Sequence, residues 1–204
     1  MNILLKKEDL VYTNCYCEEN IYKLCRYILD TQPALLPQCS VVFISNREKK
    51  IPMWYQIASK DRPFVIWDYH VIMLLAKQDP GSATCFVYDF DSVLPFPCAL
   101  SDYVCKSFQP DLELLPEFER CFRTIPAFVY LHHFASDRSH MIGPDGQYLA
   151  PPPTYPAIES QYHQKMTLPR YIDMDSSEQP EKYGTVLHQD TFFAQATRVI
   201  NQIR

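Results

Sequence analysis

Residues 18–31 repeat their apolar positions at helical spacing. Ile21, Leu24, Cys25 and Ile28 fall at i, i+3, i+4 and i+7, with Glu18 and Glu19 in the first turn. Asn14 is placed to cap that helix, which sets Cys17 at or within its first turn. The pattern then changes. Residues 40–45 (SVVFIS) read as a strand, 46–49 as a turn, and 51–56 as a second strand whose pairing Pro52 restricts. The longest apolar run, 64–75 (FVIWDYHVIMLL), is rich in β-branched and aromatic residues and predicts a central strand. Asp79-Pro80-Gly81-Ser82 marks a turn, and 85–89 (CFVYD) returns as the next strand.

Beyond this hairpin, Leu94-Pro95-Phe96-Pro97 interrupts regular structure. Pro116 at a first helical position, followed by Phe118 and Phe122, predicts a short helix, and 126–131 (PAFVYL) predicts another strand. Residues 136–156 form a loop long enough to be either functional or a linker. Thr167-Leu168-Pro169 starts a short helix, and 176–182 is a polar loop. The stretch 191–204 sets Phe192, Ala196, Val199 and Ile203 on one helical face. No internal repeat interrupts this order. The pattern predicts one α+β domain over residues 1–204, with an antiparallel sheet and helices packed on it.

Composition narrows the function classes. A chain of 204 residues with 47% hydrophobic positions is long enough for a real core. Seventeen prolines against four glycines argue for stiff connections and against phosphate-cradling glycine loops. The net charge of −5, with no basic cluster beyond Lys6-Lys7 and residues 47–50, excludes a nucleic-acid footprint. No apolar run approaches the ~20 residues of a membrane span, and residues 1–10 lack the order of a secretory signal. The eight cysteines are therefore expected as reduced thiols, most of them buried small hydrophobes.

One thiol stands in a different setting. A nucleophilic cysteine needs a depressed pKa, a base, and a group that orients the base. Cys17 opens a helix, where unpaired N–H groups favour a thiolate, although Glu18 and Glu19 oppose this unless they point away. His70 lies in the predicted central strand. A hairpin centred between Asp79 and Pro80 sets Asp89 directly opposite it, at the ~4.5–5.5 Å Cβ separation of facing residues. A slip of one residue would move Asp89 to the other face. Rival readings stand beside this one: Cys17 as an inert thiol, His70 as a core residue, and Arg138 paired with its neighbour Asp137. Another is zinc held by His132, His133 and His140 with Cys15 or Cys17, although neither C-x-x-C nor H-x-x-x-H spacing is present.

The same residues carry a resemblance. YTNCYCEENIYKLC (12–25), VVFISN (41–46), VIWDYH (65–70), YDFDSVLPFP (88–97), FASDRSHM (134–141) and PPPTYP (151–156) resemble the protein N-terminal glutamine amidohydrolases. The blocks run in family order along most of the chain. Residues 1–10 and the segment after Ser176 match only loosely. The resemblance implies a three-layer α-β-α fold with a transglutaminase- or papain-like core. It implies hydrolysis of the side-chain amide of an N-terminal glutamine in the cytoplasm and nucleus. By motif, the nucleophile is Cys17, the base His70 and the orienting carboxylate Asp89. Glu18, Asp68 and Asp137 are candidates for reading the substrate α-ammonium, and Tyr16, Trp67 and Ser136 for lining the pocket. No metal or organic cofactor is expected, the partner is a protein or peptide with N-terminal Gln, and the chain is expected to act as a monomer. The alternatives are a transglutaminase-like or peptidase-like enzyme with the same three residues, and a non-catalytic module that binds N-termini.

Overall fold

The computed structural model describes residues 5–79, 82–175 and 178–201. The predicted first helix is α1, Cys17–Thr31. Its apolar stripe of Ile21, Leu24, Cys25 and Ile28 is fully buried, and the large aliphatic members contribute about 1.5–3 kcal/mol each. The next elements are β1 (Cys39–Ser45), β2 (Ile51–Trp54), β3 (Phe64–Trp67), β4 (Tyr69–Asp79) and β5 (Ser82–Tyr88). After the proline-rich break come β6 (Cys98–Ala99) and α2 (Leu100–Tyr103), which runs on as a π turn over Val104–Phe108. The chain closes with β7 (Cys121–Pro126), α3 (Ala127–His133), α4 (Leu168–Ile172), α5 (Pro180–Tyr183), β8 (Thr185–His188) and α6 (Gln189–Asn201).

Six strands form one antiparallel sheet in the order β6-β5-β4-β1-β7-β8, and β2 and β3 pair separately. Because successive side chains alternate, β1 and β4 feed two cores. Val41, Phe43, Val71, Met73 and Leu75 meet α1, α3 and α4 on one face. Val42, Ile44 and Ile72 meet Leu100 and Tyr103 of α2 and Phe192 and Ala196 of α6 on the other. The result is the expected α+β arrangement, a mainly antiparallel sheet between two helical layers. Among the described residues no helix is long and apolar enough to cross a membrane.

Several local expectations are corrected. The run 64–75 is two strands, broken at Asp68. There the side chain accepts the Tyr69 N–H at 2.9 Å, and the Asp68 carbonyl accepts the Ser45 hydroxyl at 2.7 Å. The strand predicted over 126–131 is α3. Ala127, Tyr130, Leu131 and Phe134 are buried and fall at helical spacing, which outweighs strand propensity once the sheet is there to receive them. Phe122 belongs to β7, and the turn before it is a short 3-10 piece, Pro116–Phe118. Asn14 does not cap α1: the N-cap is Tyr16, and Asn20 instead clamps Thr13, bonding its N–H and its carbonyl at 2.8 Å each. Of the polar segment 176–182, residues 180–182 belong to α5, started by Pro180. Pro80, Gly81, residues 176–177 and Ile203 lie outside the described residues, as does the Val199 side chain.

The hairpin register differs as well. Met73 faces Tyr88 and Asp79 faces Ser82, two residues away from the symmetric expectation. An even displacement preserves the face. Continued past the last paired residues, this register sets Asp91 opposite His70, with Asp89 as the diagonal neighbour on the same side.

Candidate active site

The thiol end is built by the entry into α1. Cys15 turns the chain with a φ of 68° and is exposed, whereas Cys17, at the first helical position, is half-buried against the α1-side core. Tyr16 is wholly buried and donates its hydroxyl to the Ala150 carbonyl at 3.2 Å, tying this entry to the long loop over 136–156. Glu18 does not point away from the thiol, since its Oε2 lies 3.6 Å from the Cys17 Sγ. Burial pushes the Cys17 thiol well up, and the charges of Glu18, Asp91 and Asp68 push it further. A Val71 N–H works in the opposite direction, on the part of β4 where β5 has already left the ladder. The thiolate expected from the helix start alone is therefore not favoured here, because desolvation and neighbouring carboxylates exceed the effect of the helix terminus.

The imidazole end is a satisfied network. His70 Nε2 lies 2.9 Å from Asp89 Oδ1, with both side chains 2% exposed. An ionised carboxylate only accepts, so Nε2 carries the proton and Nδ1 is the other, acceptor nitrogen of neutral His70. Asp89 Oδ1 also accepts the Asp91 N–H at 2.9 Å, while Oδ2 accepts the Tyr103 hydroxyl at 2.7 Å and the Gln56 amide at 3.3 Å. The Gln56 oxygen in turn accepts the Trp67 indole N–H at 3.3 Å, and the Trp67 ring stacks on His70 with centroids 5.7 Å apart. Burial favours neutral His70, but the Asp89 charge and hydrogen bond outweigh it and raise the imidazole above its ordinary value. For Asp89 burial acts upward, and His70 with the Tyr103 and Asp91 hydrogen bonds overcomes it and holds the carboxyl below its ordinary range.

Both ends open on one cavity of about 610 Å³, whose wall includes Cys15, Cys17, Trp67, Asp68, Tyr69, His70, Asp91 and His140. It therefore gathers four predicted residues: Cys17, His70, Trp67 and Asp68. Asp89 stands behind His70, and Glu18 lies buried behind Tyr69 and His140, 3.0 Å from the Tyr69 hydroxyl and 3.4 Å from His140 Nε2. Tyr16, Ser136 and Asp137 are not on the wall. Ser136 is buried and bridges by backbone to Ile158. Asp137 is exposed and accepts the Ser139 N–H at 2.9 Å, and the Ser139 side chain first, then that N–H, lowers its carboxyl.

Arg138 pairs not with Asp137 but with the wholly buried Glu19, through two bonds of 2.9 Å, and so fastens the long loop to α1. The histidines of the zinc alternative go separate ways. His132 bonds the Phe128 carbonyl, His133 stacks on Tyr162, and His140 faces Glu18. His70, Asp89 and Asp91 do bring possible ligand atoms within 4.8 Å of one another. A metal held through His70 Nε2 would have to displace the His70–Asp89 bond. Sequence reasoning missed Asp91, Tyr103, Gln56 and Tyr69, and weighed His140 only as a zinc ligand. Asp91 alone among these carried a signal, since it follows Asp89 by two places, the spacing that a continued strand would put on one face.

Fold and cavity together define an α+β protein that offers a thiol, an imidazole and buried carboxylates at one opening. A family model described as N-terminal glutamine amidase matches residues 12–196, which extends past the loosely matching start of the last segment. Relatives called protein N-terminal glutamine amidohydrolase include one from Danio rerio, 51% identical over 81% of this chain and 80% of its own length. One from Homo sapiens is 47% identical over 83% and 80%, and one from Drosophila mojavensis is 41% identical over 97% and 95%. The chain belongs to the N-terminal glutamine amidase family.

Proposed function

We propose that this protein hydrolyses the side-chain amide of an N-terminal glutamine to glutamate and ammonia, through a thioester on Cys17. The observation that carries the reading is that Cys17 and His70 share one cavity wall while Asp89 occupies the far nitrogen of the imidazole. His70 Nδ1 is then the nitrogen left for the thiol. It takes the Cys17 proton as the sulfur attacks the amide carbon, and delivers that proton to the departing ammonia. It then takes a proton from the water that opens the thioester, which restores the thiol. Asp89 holds the tautomer and stabilises the imidazolium. The first N–H groups of α1 have no partner within the helix and are available to the oxyanion.

The raised free thiol fits this scheme. A cationic substrate, and the imidazolium that His70 becomes on taking the proton, offset the carboxylate charges that add to burial in raising the thiol, so activation follows binding. The reaction needs no metal or organic cofactor. All eight cysteines are free thiols, which supports work in the reducing cytoplasm or nucleus, and one chain holds every group named, which supports action as a monomer. Ammonia release from matched peptides tests the reading. Release is expected with glutamine at the terminus and not with glutamine inside the chain, and Cys17→Ala is expected to abolish it with the melting temperature unchanged. Release from internal glutamine would move the protein to a transglutaminase-like class. No release from either peptide would favour a module that only binds N-termini.

A further inference from the structure

A cavity that selects a chain terminus must recognise its α-ammonium, and a full positive charge leaving water needs an anionic acceptor in the wall. The wall carries Asp68, Asp91, Asp173 and Asp175. Asp68, Asp173 and Asp175 are exposed, Asp175 is paired with Arg47 at 3.3 Å, and one Asp68 oxygen is engaged by the Tyr69 N–H. Asp91 shares with Asp68 one engaged oxygen but differs in being buried and held on several sides. It is 7% exposed. Its backbone is pinned on both sides, the N–H to Asp89 Oδ1 at 2.9 Å and the carbonyl by the Ile57 N–H at 2.7 Å. The Tyr12 hydroxyl fixes Oδ1 at 2.7 Å, and Oδ2 accepts no hydrogen bond among the described residues. One of its carboxylate oxygens also lies within 4.8 Å of a ring nitrogen of His70 and of an Asp89 oxygen.

Resting on the proposed reaction, we infer that Asp91 is the substrate-binding residue that receives the α-ammonium of the N-terminal glutamine through Oδ2. Four bonds separate that nitrogen from the side-chain amide carbon, a span of at most about 5 Å. A carboxylate beside His70 therefore suits a carbonyl presented to Cys17. Glu18 is the other buried anion near the thiol, but it lies under Cys17, Tyr69 and His140 and not on the wall, so an ammonium reaches it only by displacing them. Asp91 also explains why a free terminus is required. Acylation or chain extension at that nitrogen removes the charge and leaves a buried carboxylate facing a neutral amide.

The test compares two peptides, one beginning with glutamine and one in which that residue lacks only its α-amino group, on wild-type protein, Asp91→Asn and Tyr12→Phe. In the wild type the amine-bearing peptide is expected to be strongly preferred. Asp91→Asn is expected to lower kcat/KM for it by about 10- to 150-fold, the loss of one charge-assisted hydrogen bond, mainly through KM. Turnover of the peptide without the amine is expected to change less than about 3-fold by the same reasoning. Tyr12→Phe, which keeps the carboxylate and loosens it, is expected to give a smaller loss confined to the amine-bearing peptide. Equal slowing of both peptides by Asp91→Asn would overturn the inference and make Asp91 a positioning residue for His70. An unchanged preference would overturn it as well. Absence of ammonia release by the wild-type protein would overturn the reaction itself, and the inference with it.

Discussion

Two buried carboxylates, Asp89 and Glu18, stand behind the cavity wall, and they are finished differently. Around Asp89 every acceptor is occupied: His70 and a backbone N–H take Oδ1, and Tyr103 and Gln56 take Oδ2. Around Glu18 the bonds run to Tyr69 and the thiol, while Oε1 and the neighbouring His140 Nδ1 have no hydrogen-bond partner among the described residues. A carboxylate with all its lone pairs filled is a fixed support, and moving it costs several bonds at once. One left partly unfilled keeps its field available to whatever enters. The imidazole is thus held in a single pose, whereas the thiol sits in a field that a bound cation can change.

The comparison breaks most severely at Asp89. Asp89→Asn keeps the shape but permits the wrong imidazole tautomer, and kcat is expected to fall on the order of 10⁴-fold. A loss below 10-fold would show that Asp89 only supports the fold. Tyr103→Phe removes one bond from the full set. Because the lost donor serves a charge, about 1.5–3 kcal/mol of stability is expected to go, measured by denaturant titration.

A pH-dependent effect sharpens the same point. The lowered Asp89 contributes stability above the ordinary carboxylate value of about 3.9, and loses it as pH falls through its lowered value. The raised His70 contributes fully below about 6.5 and loses its share as pH rises through its raised value. The difference in melting temperature between wild type and Asp89→Asn should therefore be largest between about pH 4 and 6.5 and shrink on either side. On the thiol side the change is smaller and of opposite sense. Glu18→Gln removes the first of the charges that raise the Cys17 thiol. Alkylation of Cys17 at neutral pH should then speed up. Slower alkylation would reverse the role given to Glu18.

Much of this was legible in the sequence because periodicity reports burial directly. The α1 stripe, β1 and the position of Cys17 followed from spacing. His70 and Asp89 were paired from the wrong register, and the pair survived because a displacement of two residues keeps both on one face. The break at Asp68 had no glycine or proline to announce it. The apolar spacing of Ala127, Tyr130, Leu131 and Phe134 was masked by strand-forming residue types. Tyr103 and Gln56 reach Asp89 from segments whose approach only the tertiary fold decides. The direction of the Cys17 shift depended on where the Glu18 side chain points, which no helical pattern records.

The central claim is that the Cys17 sulfur bonds to the glutamine side chain. A glutamine analogue with a free α-amino group and a diazoketone in place of the amide tests it by alkylating the attacking thiol, with the adduct located by peptide mass spectrometry. One adduct is expected, on Cys17, suppressed by a peptide with N-terminal glutamine and absent from Cys17→Ala. An adduct on Cys15, or labelling that persists in Cys17→Ala, would contradict it.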